Sequence, residues 1–129
     1  MPIDATQPYD DQNIFAKILR GEIPSKRVYE DDFAIAFHDI NPQAPTHLLV
    51  IPQGAYVSWD DFSARAPDAE IAGFIRAVGT VARAAGLVEP GYRLLANIGQ
   101  HGNQEVPHLH VHVFGGRPFG PMLARPDQG

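Results

Sequence analysis

His108-Leu109-His110-Val111-His112-Val113-Phe114 is the stretch on which the reading of this chain turns. Side chains on a β-strand alternate between its faces, so the three histidines share one face and Leu109, Val111 and Val113 the other. The apolar side holds the strand against a core. The opposite side lines up three imidazoles, roughly 7 Å apart per step of two residues, more firmly placed than on a loop.

Outward from there, the strand is expected over Val106 to Phe114, ended by Gly115-Gly116 and Pro118. A polar loop, Gly99 to Glu105, and a strand over Tyr92 to Asn97 precede it. Further back, Pro67, Asp68 and Glu70 open a long helix: proline suits the first turn, and acids face the positive end of the dipole. Its apolar stripe is Ile71, Phe74, Ile75, Val78, Val81, Ala82 and Ala85, and Gly86 stops it. Gly73 and Gly79 inside this helix are either tolerated surface glycines or points of close approach to the sheet or a second subunit. Residues 53–66 read as irregular apart from a turn of helix near Trp59 to Phe62.

His47 to Ile51, an apolar run between Pro45 and Pro52, suits a buried central strand. Lys26 to Glu30 and Phe33 to Asp39 form a hairpin across Asp31-Asp32. Asn13 caps a short helix carrying Ile14, Phe15, Ile18 and Leu19, closed by Gly21. These elements predict an α+β domain: a five-stranded, mostly antiparallel sheet with one long helix and a short N-terminal helix. Residues 1–12 are expected to be a flexible segment, 13–125 a single domain and 126–129 a tail.

The composition excludes several functions. The 129 residues contain no Cys, which removes disulfides, thiolate-bound zinc, Fe–S clusters and a Cys nucleophile. Ten Lys+Arg against 15 Asp+Glu give a net charge of −5, so no nucleic-acid partner is expected. Residues 1–12 lack the basic and apolar regions of a signal peptide, and apolar runs such as Leu48 to Ile51 fall far short of the ~18 residues that span a bilayer. The expectation is a cytoplasmic protein with no membrane partner.

Three uses of the histidine face compete. A single zinc ion held by all three is disfavoured, because the outer two lie about 13 Å apart on a strand while Zn–N bonds are about 2 Å; a His pair with a distant third ligand stays open. Three satisfied core histidines would need partners for many buried ring nitrogens. Covalent chemistry, with one His as nucleophile and the others positioning substrate and protons, fits best. Upstream, Asn97-Ile98-Gly99-Gln100-His101-Gly102-Asn103-Gln104-Glu105 offers glycines and neutral amides from which an acidic protein could still cradle a phosphate.

The triad stretch, with Pro107 before it, matches the H-φ-H-φ-H-φ-φ signature of the histidine triad family of nucleotide hydrolases and transferases. Ile14-Phe15-x-Lys17-Ile18, Glu22-Ile23-Pro24, Phe37-His38-Asp39-Ile40, Pro42-Gln43-Ala44-Pro45-Thr46-His47 and Gly115-Gly116-Arg117 resemble its Hint branch, over roughly residues 13 to 123. The resemblance implies a HIT-like fold and a purine nucleoside phosphoramidase. Such an enzyme cleaves a P–N bond through a nucleotidyl-histidine, with no metal or other cofactor, as a homodimer joined at the long helix and the strand near residues 92–97. It makes His110 the nucleophile, His112 a phosphate contact that assists the leaving group, and His108 and His47 a network orienting the nucleophilic ring. Asp39 would bind the ribose; Ile14, Phe15, Phe37, His38 and Ile40 would line the purine slot; Asn97, Gln104, Glu105 and Val106 would hold the phosphate.

Each role has a plainer counterpart. Phe37 and Ile40 also suit core positions, Asp39 suits a turn before Asn41-Pro42, and His101 has no assigned role. Asn103 and Glu105 depart from the pattern of many relatives: Asn tolerates a left-handed backbone, whereas a carboxylate at 105 repels an anion unless turned away. The runner-up activity is that of a Fhit-like dinucleoside polyphosphate hydrolase, and the competing class is a zinc- or nucleotide-binding interaction protein.

Overall fold

The computed structural model describes residues 1–124; the expected tail at 126–129 lies outside them. Eight elements follow one another: α1 (Ile14–Leu19), β1 (Arg27–Glu30), β2 (Ala34–His38), β3 (Thr46–Pro52), α2 (Trp59–Arg65), α3 (Asp68–Ala84), β4 (Arg93–Leu95) and β5 (Val111–Gly115). The strands form one sheet in the order β1-β2-β3-β5-β4, antiparallel throughout.

Local chemistry accounts for the boundaries. Asn13 Oδ1 accepts the Ala16 N–H at 2.9 Å and so starts α1. Asp31 Oδ1 accepts the N–H groups of Phe33 and Ala34, which turns the chain from β1 into β2. Residues 59–65 form a full helix rather than a single turn, because Ser58 and Asp61 make a reciprocal capping box. β5 starts at Val111, five residues later than expected. Pro107 has no N–H to give a ladder, and the Leu109 N–H donates to the Tyr56 carbonyl instead.

The sheet separates two cores. Ala34, Ala36, Leu48, Val50, Leu109, Val111 and Val113 face α3, whose buried residues are Phe74, Ala77, Val78, Val81 and Ala82. Ile35, Phe37, Leu49 and Ile51 face Phe15 and Ile18 of α1. Leu109, Val111 and Val113 thus share the face the alternation gave them, although only the last two lie in the ladder. Ile75 and Ala85 of the expected stripe are exposed. The two helix glycines differ: a Cβ at 73 would overlap the Phe33 ring, whereas one at 79 would meet only the movable Arg83 guanidinium beside an apolar groove. The segment 1–12 is tied to the domain, by the Ile3 N–H to the Gln104 carbonyl (2.7 Å) and by Tyr9 to His108.

Candidate active site

β5 pairs with β3 so that His112 lies opposite Leu49, and His47 opposite Phe114. Asp39, just past β2, stays beside His47 because its N–H donates to the His47 carbonyl at 3.1 Å. The register therefore gathers Asp39, His47, His110 and His112 at the end of the α1-facing side.

The partners of each ring fix where its proton sits. His110 Nδ1 is 2.7 Å from the His108 carbonyl, and a carbonyl only accepts. Nδ1 therefore carries the hydrogen and Nε2 is left with a lone pair. His47 Nδ1 accepts the Gln43 N–H at 3.1 Å, so its hydrogen is on Nε2, 2.9 Å from His112 Nδ1 and 3.4 Å from Asp39 Oδ2. His112 accepts at Nδ1 and so presents Nε2–H. One histidine offers a lone pair and its neighbour a hydrogen. Aromatic contacts hold both rings: Phe15 meets His110 edge-on at 5.0 Å, and Phe114 lies parallel to His112 at 5.5 Å.

Burial keeps these imidazoles neutral. It pushes His110 and His47 below the usual imidazole value, against the upward pull of the His108 carbonyl on the first and of Asp39 on the second. His112 is lowered to about 4 by burial and then by His110 and His47, and His108 to about 4 chiefly by burial. An unfolded chain takes up protons at these sites below pH 6.5 while the folded one refuses them, so stability is full above pH 7 and declines between 6.5 and 4. With a folded value of about 4, His108 alone should cost about 2 kcal/mol at pH 5 relative to pH 7.5. Urea midpoints at the two pH values check this; equal midpoints would contradict the buried neutral rings.

A cavity of about 340 Å³ opens onto these groups, lined by Phe15, Asp39, Asn97, Glu105, Val106, His110 and His112 from the expected set. His47 is 2% exposed and sits behind His112. His38 and Ile40 line a neighbouring groove that shares Asp39. Three expected contacts line neither the cavity nor the groove. Phe37 is core, Ile14 lines neither space, and Gln104 is 1% exposed with its amide nitrogen donating to Val57 and Val106 carbonyls and its oxygen accepting from Gly99. Gln104 thus braces the loop from inside.

The His108 ring is fully buried between Tyr9 and the Pro52 carbonyl, and its backbone carbonyl is what orients His110. Asn41, Gln43 and Asn103 line the cavity too. Asn103 adopts the left-handed backbone that Asn tolerates, with φ 60°. Nothing in the sequence marked the Gln43 N–H, since any residue but proline offers one.

Asp39, His47 and His112 have potential ligand atoms within 4.8 Å of one another. A cation there needs a lone pair on His47 Nε2, yet the Gln43 N–H on Nδ1 puts a hydrogen at that position. The group fits a metal only if that bond is given up.

The HIT domain profile matches residues 20–119. The sequence is 69% identical over 117 residues, 91% of this chain and 96% of the other, to an uncharacterized 13.2 kDa HIT-like protein of Azospirillum brasilense. It is 49% identical over 114 residues (88% and 95%) to the purine nucleoside phosphoramidase of Escherichia coli K12. A HIT family hydrolase from Clostridium thermocellum superposes with a TM-score of 0.80 at 37% identity, over 89% of this chain and 99% of that one. With three alternating histidines leading into and along β5 and this likeness along nearly the whole length, the chain belongs to the histidine triad (HIT) family.

Proposed function

We propose that the protein hydrolyses purine nucleoside 5'-phosphoramidates in two displacements at phosphorus. The observation that carries the proposal is the lone pair of His110 Nε2, left free at the cavity because Nδ1–H is held by the His108 carbonyl. In the first step Nε2 bonds to phosphorus and the P–N bond of the N-protonated substrate breaks, its electron pair leaving with the neutral amine. The nucleotidyl-imidazolium keeps its Nδ1–H on the carbonyl. In the second step water attacks phosphorus, the P–Nε2 pair returns to His110, and the water proton passes to solvent, where the amine takes it up. His112 Nε2–H donates to the phosphoryl oxygens in both steps.

Asp39 accepts from the ribose hydroxyls at the junction of cavity and groove, with His38 and Ile40 beside the base. Asn97, Val106 and the backbone at Glu105 hold the phosphate. The charge of the lining favours a phosphoramidate over a polyphosphate: among the described residues lining the cavity are two carboxylates, Asp39 and Glu105, and neither Lys nor Arg. Each additional phosphate would bring negative charge without a counter-charge.

Turnover of adenosine 5'-phosphoramidate in excess chelator, with mass-spectrometric trapping of an acid-labile adduct on His110, tests the proposal. Chelator-resistant turnover with the adduct is the expected result; loss of activity in chelator would point to the zinc-binding alternative. The 2',3'-dideoxy substrate should show a raised KM, and an unchanged KM would remove the ribose role of Asp39.

A homodimer belongs to the same proposal. β4 is an edge strand, and beside it α2, α3 and β4 leave an apolar groove of about 530 Å³ with Ile75 49% and Leu94 48% exposed. Gly79 lines it. Light scattering should give twice the 14.1 kDa of the chain, and a monomer mass would refute the dimer. Among the described residues no helix is long and apolar enough to cross a membrane.

A further inference from the structure

Tyr9 precedes α1, and its hydroxyl lies 2.6 Å from His108 Nδ1. The other ring nitrogen of His108, Nε2, faces the Pro52 carbonyl at 3.0 Å. A carbonyl only accepts, so Nε2 holds the ring's hydrogen and Nδ1 is a lone pair whose donor is the Tyr9 hydroxyl. The two rings meet edge to face at 5.6 Å. A phenylalanine would pack there equally well, so the hydroxyl is the part that needs a reason. The proposed mechanism gives Tyr9 no task of its own.

Tyr9 arrives on an anchored segment. Asn13 Nδ2–H donates to the Asp10 carbonyl (2.8 Å), the Arg20 guanidinium to the Asp11 carbonyl (2.8 Å), and the Ile3 N–H to the Gln104 carbonyl (2.7 Å). The segment therefore spans from the histidine that orients His110 to the loop beside the cavity.

We propose that Tyr9 is a positioning residue for the nucleophile. Its hydroxyl, the His108 ring and the Pro52 carbonyl form one chain of hydrogen bonds that fixes residue 108, whose carbonyl in turn selects the Nε2 lone pair of His110. Residues 104–110 lie outside the ladder, so this chain supplies at His108 the restraint a paired strand would have given. The proposal rests on the reading of His110 as nucleophile.

Tyr9→Phe tests it, since the ring and its packing are kept. Two measurements are made on the full chain: steady-state kinetics with adenosine 5'-phosphoramidate, and ¹⁵N imidazole spectra without substrate. The expected result is a kcat lowered about tenfold with KM changed by less than about twofold. In the spectra, His108 Nδ1 should move toward a free lone-pair nitrogen, and His110 should change from a single Nδ1–H tautomer to a mixture. A kcat within about twofold of the parent chain would overturn the proposal. Unchanged His108 and His110 spectra would overturn it as well. If the parent chain does not turn over phosphoramidates, the proposed function fails and the spectra alone decide the role of Tyr9: a tautomer mixture in Y9F supports it, and unchanged spectra refute it.

Discussion

His110→Ala should lower phosphoramidate turnover about 10⁴-fold while nucleoside monophosphate binding stays within about threefold. The asymmetry follows from where the ring sits. His110 is 7% exposed and meets the cavity as one of its lining residues, while the ribose and base contacts proposed above lie on Asp39, His38 and Ile40. Removing the imidazole takes away the ring lone pair that the proposed mechanism aims at phosphorus, and His112 cannot substitute because it presents a hydrogen. Calorimetric titration with the monophosphate, beside turnover and adduct trapping, separates the two effects. A variant keeping a tenth of the activity would show that another group attacks.

His47→Ala comes next, with an expected loss of about 10²-fold in kcat and little change in KM. His47 is 2% exposed and reaches the cavity only through His112. Without it, His112 Nδ1 has no donor, the ring is free to reverse its tautomer, and a lone pair then faces the phosphate where Nε2–H is needed. His47→Gln keeps a side-chain N–H and should recover part of the loss. Equal activity in the two variants would mean that packing against Phe114, 4.3 Å away, matters rather than the hydrogen.

Much of the architecture was legible because period and burial agree. His47 to Ile51 reads as a central strand, and residues 46–52 are that strand, with both of its neighbours in the sheet. The alternation of the triad put Leu109, Val111 and Val113 together on one core-facing side, and they share the α3 side even where the ladder is absent. What stayed hidden depends on the backbone or on distance along the chain. The Gln43 N–H and the His108 carbonyl set two tautomers, yet neither is a property of a side chain. Gln104 looked like a phosphate donor because an amide in a glycine loop usually faces outward; three internal partners turn it in. Ser58 and Asp61 carried a helix-start signal that the polar surroundings of residues 53–66 masked. Tyr9 meets His108 across 99 residues, beyond any local pattern.

The register of β5 against β3 makes this strand unusually intolerant of insertions. Adding one residue between Val111 and His112 would rotate everything downstream by half a period, driving His112 into the α3 core and an aliphatic side chain toward the cavity. The connection from Ala96 to His110 is different: it lies outside the ladder, and its glycine-containing turn can lengthen without moving the pairing. Variation in length among such domains should therefore collect between β4 and β5 and spare residues 111–115. On that short strand, a slip that unsettles the α3 core also removes His112 from the proposed site.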